Sequence, residues 1–312
     1  MAAKLPLTAR KNIRDEYNEK IGDLKSQIKE YTGEDYEFVV VFEELYPKVK
    51  ADDQYQTTSP GSIAFNAYSS LVDQLKTMTD EGEDQLVKEH FNKVVHTRKV
   101  NILIEDMESG YTLCRVKDGV LELVYKTDNF GTNTSYIASE LAKALDESYL
   151  ETNRSELPLT ARKGFRDDYE QKKKALMGRI SEELLGAFVD LVADPEAIWR
   201  LAIEEQAKLK KRDQSEIDLE SINRNMGSAI YAYFDGFAST LNYVFKQDGM
   251  MVEAFMEACP KKEIHFKLVA KPDLSRSYND GVFEDGAYVI RASPQTWYTN
   301  SSYACEDIEK LL

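Results

Sequence analysis

Cysteine is nearly missing from this 312-residue chain. Cys114, Cys259 and Cys305 are too few and too scattered for a disulfide framework, and a reducing compartment suits them as small core residues. Histidine is equally scarce: His90, His96 and His265 form no metal spacing such as H-E-x-x-H, and no Cys-x-x-Cys accompanies them. Positive charge is also short. Forty Lys and Arg stand against 55 Asp and Glu, a net charge of −15, which disfavours nucleic acid and anionic membranes as partners. No stretch approaches the roughly 20 apolar residues that span a bilayer, and the opening residues hold no export-signal core, so the expected location is cytoplasmic. Neither a P-loop, nor G-x-G-x-x-G, nor a D-x-D-x-D-G calcium loop occurs, so no cofactor and no metal are expected. What is present is ordinary globular material, 42% hydrophobic and 30% charged, enough for two cores.

The chain is written twice. Residues 5–20 read LPLTARKNIRDEYNEK and residues 157–172 read LPLTARKGFRDDYEQK, with 11 of 16 positions identical. Composition alone gives about one match in such a window. Further along, Gly61-Ser62 falls on Gly227-Ser228, Asp118-Gly119 on Asp285-Gly286, and Asn133-Thr134-Ser135-Tyr136 on Asn300-Ser301-Ser302-Tyr303. The offset grows by about 15 residues, assigned to the charged stretch 204–223 of the second copy. Each copy has the size of a self-sufficient domain. The expectation is two homologous tandem domains, 1–148 and 155–312, joined by the polar stretch 147–156.

Each copy reads as α+β: helices first, then a three-stranded antiparallel meander, then a C-terminal helix. Thr8 and Thr160 are expected helix N-caps, and Ile13, Tyr17, Ile21, Leu24 and Ile28 make one apolar stripe. Residues 36–42 read as a buried strand. Their counterpart at 184–199 looks partly helical, and the pattern leaves it open. Helices are expected over 62–76 and 83–95. Alternating Val100, Ile102 and Ile104 precede two strands that turn at Asp118-Gly119, with the same arrangement at Asp285-Gly286. Last helices are expected over 135–144 and 302–312.

The candidate site residues are the basic pairs of the repeated opening, Arg10-Lys11 and Arg162-Lys163, with Arg14 and Arg166 one turn on. Cations in a first helical turn oppose the macrodipole, so a negative group is expected beside them. It is either an intramolecular carboxylate, the simpler explanation, or a bound anion or acidic partner. The Asn-Thr-Ser and Asn-Ser-Ser segments read as caps of the last helices. They also match the glycosylation acceptor pattern, expected to be unused without an export signal. No histidine lies beside these serines to activate them, and no catalytic residue is assigned.

The functional expectation is a non-enzymatic adaptor with a protein partner, presenting related surfaces twice. A related expectation is that the two copies pack about a pseudo-dyad, imitating a homodimer in one chain. The rival class is an enzyme or small-ligand carrier with its pocket between the copies, marked by residues found in one copy alone, such as Trp199, Arg200 or His265. A weaker third reading is an acidic surface that competes for basic partners.

Overall fold

A computed structural model describes residues 5–312. The chain divides into two units, Met1–Thr152 and Asn153–Leu312. In the first, the helix Leu7–Asn12 passes directly into a π-helical turn, Ile13–Asn18, and then into the helix Ile21–Thr32. Gly33 closes that helix in the left-handed conformation, φ 80°. Strand β1 (Glu37–Val39), short helical turns and the central helix Pro60–Met78 follow, then the helix Gln85–Val94. Strands β2 (Lys99–Glu105), β3 (Thr112–Lys117) and β4 (Val120–Lys126) complete the sheet.

The sheet order is β1-β2-β4-β3, with β1 parallel to β2, β2 parallel to β4, and only the β3–β4 hairpin antiparallel. This corrects the expected meander. Strand β4 enters between its hairpin partner and β2, pairing Val100 with Leu121 and Ile104 with Tyr125. The hairpin itself forms where expected: Asp118 and Gly119 both take positive φ, 51° and 74°, as a type I′ turn requires.

The second unit repeats the order. A helix Leu159–Gly164, a π-turn Phe165–Glu170 and a helix Gln171–Glu183 lead to β5 (Asp190–Ala193). A central helix Met226–Val244 and a helix Gly249–Ala258 precede β6 (Glu263–Leu268), β7 (Asn279–Glu284) and β8 (Ala287–Ala292). The sheet order β5-β6-β8-β7 again has one antiparallel pair. The open stretch at 184–199 is both strand and helix: β5, then a helix Pro195–Lys208 capped by Asp194, whose carboxylate accepts from Ala197 N at 2.9 Å. That helix and the 3-10 turn Lys211–Glu216 stand where the first unit has only Phe42–Leu45 and Tyr46–Lys48, which places the added length. Within the stretch 147–156, read as a short linker or a helix running out, the helix Leu141–Thr152 runs out.

In both units the central helix lies against the π-turn and its flanks, and a glycine makes the approach possible. A Cβ on Gly61 would sit 2.7 Å from Asn12 O; one on Gly227 would sit 1.9 Å from Gly164 O. In the first unit Asn12 also caps the central helix across space, its Oδ1 accepting from Gly61 N at 2.7 Å and Ser62 N at 3.0 Å. The first N–H groups of a helix have no partner of their own. Asn12→Ala is therefore expected to cost about 1–2 kcal/mol of the first unit's stability. An unchanged denaturation midpoint would refute this capping role.

Buried tyrosines tie the helices to the first strand of each sheet. Tyr68 Oη donates to Val39 O at 2.8 Å, and Tyr169 Oη to Leu191 O at 3.1 Å. Phe38 stacks on Tyr68 at 4.3 Å, and Tyr233 on Phe266 at 4.5 Å.

Candidate interaction surfaces

The repeated opening separates into residues that packing explains and residues that it does not. Leu5, Ala9, Ile13 and Tyr17 are buried, as are Leu157, Ala161 and Tyr169. Pro6 and Pro158 occupy the N-cap positions, and no side chain caps either helix, so Thr8 and Thr160 lie inside the helices. This places Arg10 at the end of the first turn and Lys11 beyond it. The macrodipole conflict loses its force there, because the effect falls off within one turn.

Neighbouring carboxylates supply most of the negative charge. Arg14 Nε meets Asp15 Oδ1 at 2.6 Å on the surface. In the second unit Lys163 reaches Asp167 at 2.7 Å and Arg166 reaches the same carboxylate at 2.6 Å. The hydrogen bond from Arg166 leads the effects that hold the Asp167 carboxyl below its ordinary value. Arg10 and Lys11 are exposed, while Arg162 is half-buried. The structure brings Arg14, Lys163 and Arg166 onto local acids. Lys20–Glu16 and Lys172–Asp168 continue the pattern one turn further on.

The second repeated surface is the turn after the last strand. Asn133 and Asn300 are both left-handed, φ 55° and 52°, a conformation that asparagine tolerates. They open 3-10 turns, Thr134–Tyr136 and Ser301–Tyr303, without side-chain caps. The α-helices begin later, at Leu141 and Ile308, which corrects the expected capping role and helix starts. Each turn rests on its central helix. Ser70 Oγ donates to Ser135 O at 3.0 Å, and a Cβ on Gly236 would meet Ser301 O at 2.6 Å. With the turns so fixed, Tyr136 and Tyr303 project outward, 67% and 56% exposed.

The remaining reactive residue types are accounted for by packing. All three cysteines are buried, and burial pushes the Cys114 and Cys305 thiols up to about 12, which leaves them protonated and unreactive. His96 lies against Gly119, and His265 meets Glu263 at 2.8 Å. Aspartates at several helix starts, Asp53, Asp84, Asp194, Asp218 and Asp248, act as caps. No group of His, Cys, Asp or Glu among the described residues is placed to hold a metal ion, and no described helix is long and apolar enough to cross a membrane. A cavity of about 260 Å³ at the ends of β5 and β6 is lined by Asp194, His265 and Lys267 with apolar neighbours. Its polar groups are engaged, Asp194 as a cap, His265 with Glu263 and Lys267 with Glu284 at 3.2 Å.

Comparison with known proteins found no matching family, no matching curated protein and no matching solved structure.

Proposed function

We propose that this is a cytoplasmic, non-enzymatic adaptor built by duplication of one α+β domain, presenting one kind of surface twice to a protein partner. The observation that carries this reading is the recurrence of charged and aromatic residues outside the core in the two copies. Leu5, Ala9 and Tyr17 of the opening segment are buried with their counterparts, whereas Arg10, Lys11 and Arg14 are exposed in the first unit and recur in the second as the half-buried Arg162, Lys163 and Arg166. A left-handed Asn likewise holds out Tyr136 in one unit and Tyr303 in the other. Exposed tyrosines and arginines are residue types that anchor protein interfaces. Two such surfaces on one chain raise the effective concentration at the second site. Free buried thiols and the acidic surface support a reducing compartment and a protein partner over nucleic acid.

Affinity capture with the full chain, quantified by mass spectrometry, tests the adaptor reading. A stoichiometric partner is expected, and Tyr303→Ser alone is expected to weaken its retention about 100-fold by abolishing two-site engagement. Retention unchanged in both Tyr136→Ser and Tyr303→Ser chains would reject it.

A further inference from the structure

The two tyrosine-bearing turns share a backbone and differ in one contact. After the left-handed asparagines, Ile137 and Ala304 close the 3-10 turns at φ, ψ of −60°, −28° and −59°, −26°. Each tyrosine carbonyl accepts from the amide three residues on, Ser139 N at 3.0 Å and Glu306 N at 3.3 Å. In the second unit an arginine comes to that carbonyl as well. Arg276 Nη1 donates to Tyr303 O at 3.4 Å, while Nη2 lies 3.4 Å from Glu306 Oε2 and 3.0 Å from Asp307 Oδ2. Ser275 fixes the loop that carries it, its N and Oγ both donating to the buried Asp280. Lys310 at 2.6 Å completes the pairing of Asp307.

The first unit lacks that arginine. The hairpin turns Asp118-Gly119 and Asp285-Gly286 align the two copies, and the same offset sets Ser109 at the place of Arg276, Ser139 at Glu306 and Glu140 at Asp307. Glu140 thus keeps one of the two carboxylates, and it is exposed. Among the described residues no cation pairs with it; Lys143, the counterpart of Lys310, lies 4.0 Å from Glu147 instead. Burial, and after it the charge of Glu140, raises the Cys114 thiol on β3, which sets that carboxylate near the sheet. A carbonyl and a carboxylate therefore stand in the first unit as they do around Arg276 in the second, without the cation.

We propose that the first unit's turn binds an arginine supplied by a partner protein, in the place that Arg276 fills in the second unit. The guanidinium donates to Tyr136 O and to the Glu140 carboxylate, beside the exposed Tyr136 ring. A planar fork serves a carbonyl and a carboxylate together, which a point-charge ammonium does less well. The chain's net charge of −15 draws basic segments in. The inference rests on the reading of these turns as partner surfaces and adds that the two are not equivalent. Both present a tyrosine, but only the first has its arginine place open.

The test is NMR titration of the isotope-labelled full chain with a blocked peptide Leu-Ser-Arg-Ser-Tyr, the sequence of residues 274–278, and with its citrulline counterpart, which keeps the shape of the side chain and loses the charge. Amides of 135–141 are expected to shift and those of 302–308 to stay, because Arg276 already fills that turn; in the Arg276→Ser chain both should respond. Citrulline is expected to weaken binding at the first turn about fivefold, Glu140→Gln to do the same, and the two changes together to add nothing further. No shift at 135–141 with about 10 mM peptide, an equal response of both turns in the parent chain, or a preference for arginine that survives Glu140→Gln would each overturn the inference. Partner capture with the Tyr136→Ser and Tyr303→Ser chains reads the adaptor proposal by itself, so the two can fail separately.

Discussion

Gly227→Ala is expected to unfold the second unit or to cost it about 3 kcal/mol or more, whereas Gly164→Ala, at the same crossing, is expected to be nearly neutral. The asymmetry follows from where each new methyl would lie. On Gly227 it would fall 1.9 Å from Gly164 O and 2.5 Å from Gly164 C, both backbone atoms that cannot rotate away. On Gly164 the nearest atom is Gly227 N at 3.8 Å, an ordinary contact, and alanine gains helix propensity over glycine. Gly61→Ala in the first unit meets Asn12 O and Ile13 Cα at 2.7 Å and is expected to be damaging but less so. Chemical denaturation of the three variants orders them. A Gly227→Ala chain as stable as Gly164→Ala would show that the helices do not cross as described.

Arg291→Met is expected to cost about 3 kcal/mol near neutral pH, because it strands a buried carboxylate. Asp280 on β7 is 2% exposed and receives Arg291 Nε and Nη2, both at 2.8 Å, together with Ser275 N at 2.6 Å and Ser275 Oγ at 2.7 Å. Burial alone would raise the Asp280 carboxyl, but hydrogen bonds from Arg291 and Ser275 outweigh it and hold it below its ordinary value. A carboxyl lowered by folding adds stability above its unfolded pKa, and that stability is lost as pH falls through the folded one. The parent should therefore lose stability on acidification, and the gap between parent and Arg291→Met should narrow over the same acid range. A gap independent of pH would exclude the ion pair as its source.

The two hairpins were legible in the sequence because Asp-Gly satisfies a turn that needs positive φ twice, and nothing else nearby does. The sheet order was not. Strands adjacent in sequence suggest a meander, and only the placement of β4 beside β2 makes Val100 and Leu121 parallel neighbours. The π-turns were also hidden. Apolar steps of four and three from Ile13 fit an unbroken α-helix, and the extra residue per turn shows only in the backbone bonds. Asp194-Pro195 is a strong helix start, yet the four-residue β5 before it was too short to separate from that helix by pattern. Of the site residues, the basic residues are legible as a repeat, and the acids that meet Arg14, Lys163 and Arg166, Asp15 and Asp167, belong to the same repeat.

The account rests on each unit having its own core, and hydrogen exchange on the full Gly227→Ala chain tests that most directly. Amides within 153–312 should exchange freely while the central helix Pro60–Met78 and strands β2 and β4 keep their protection. Loss of protection in both units together would contradict it.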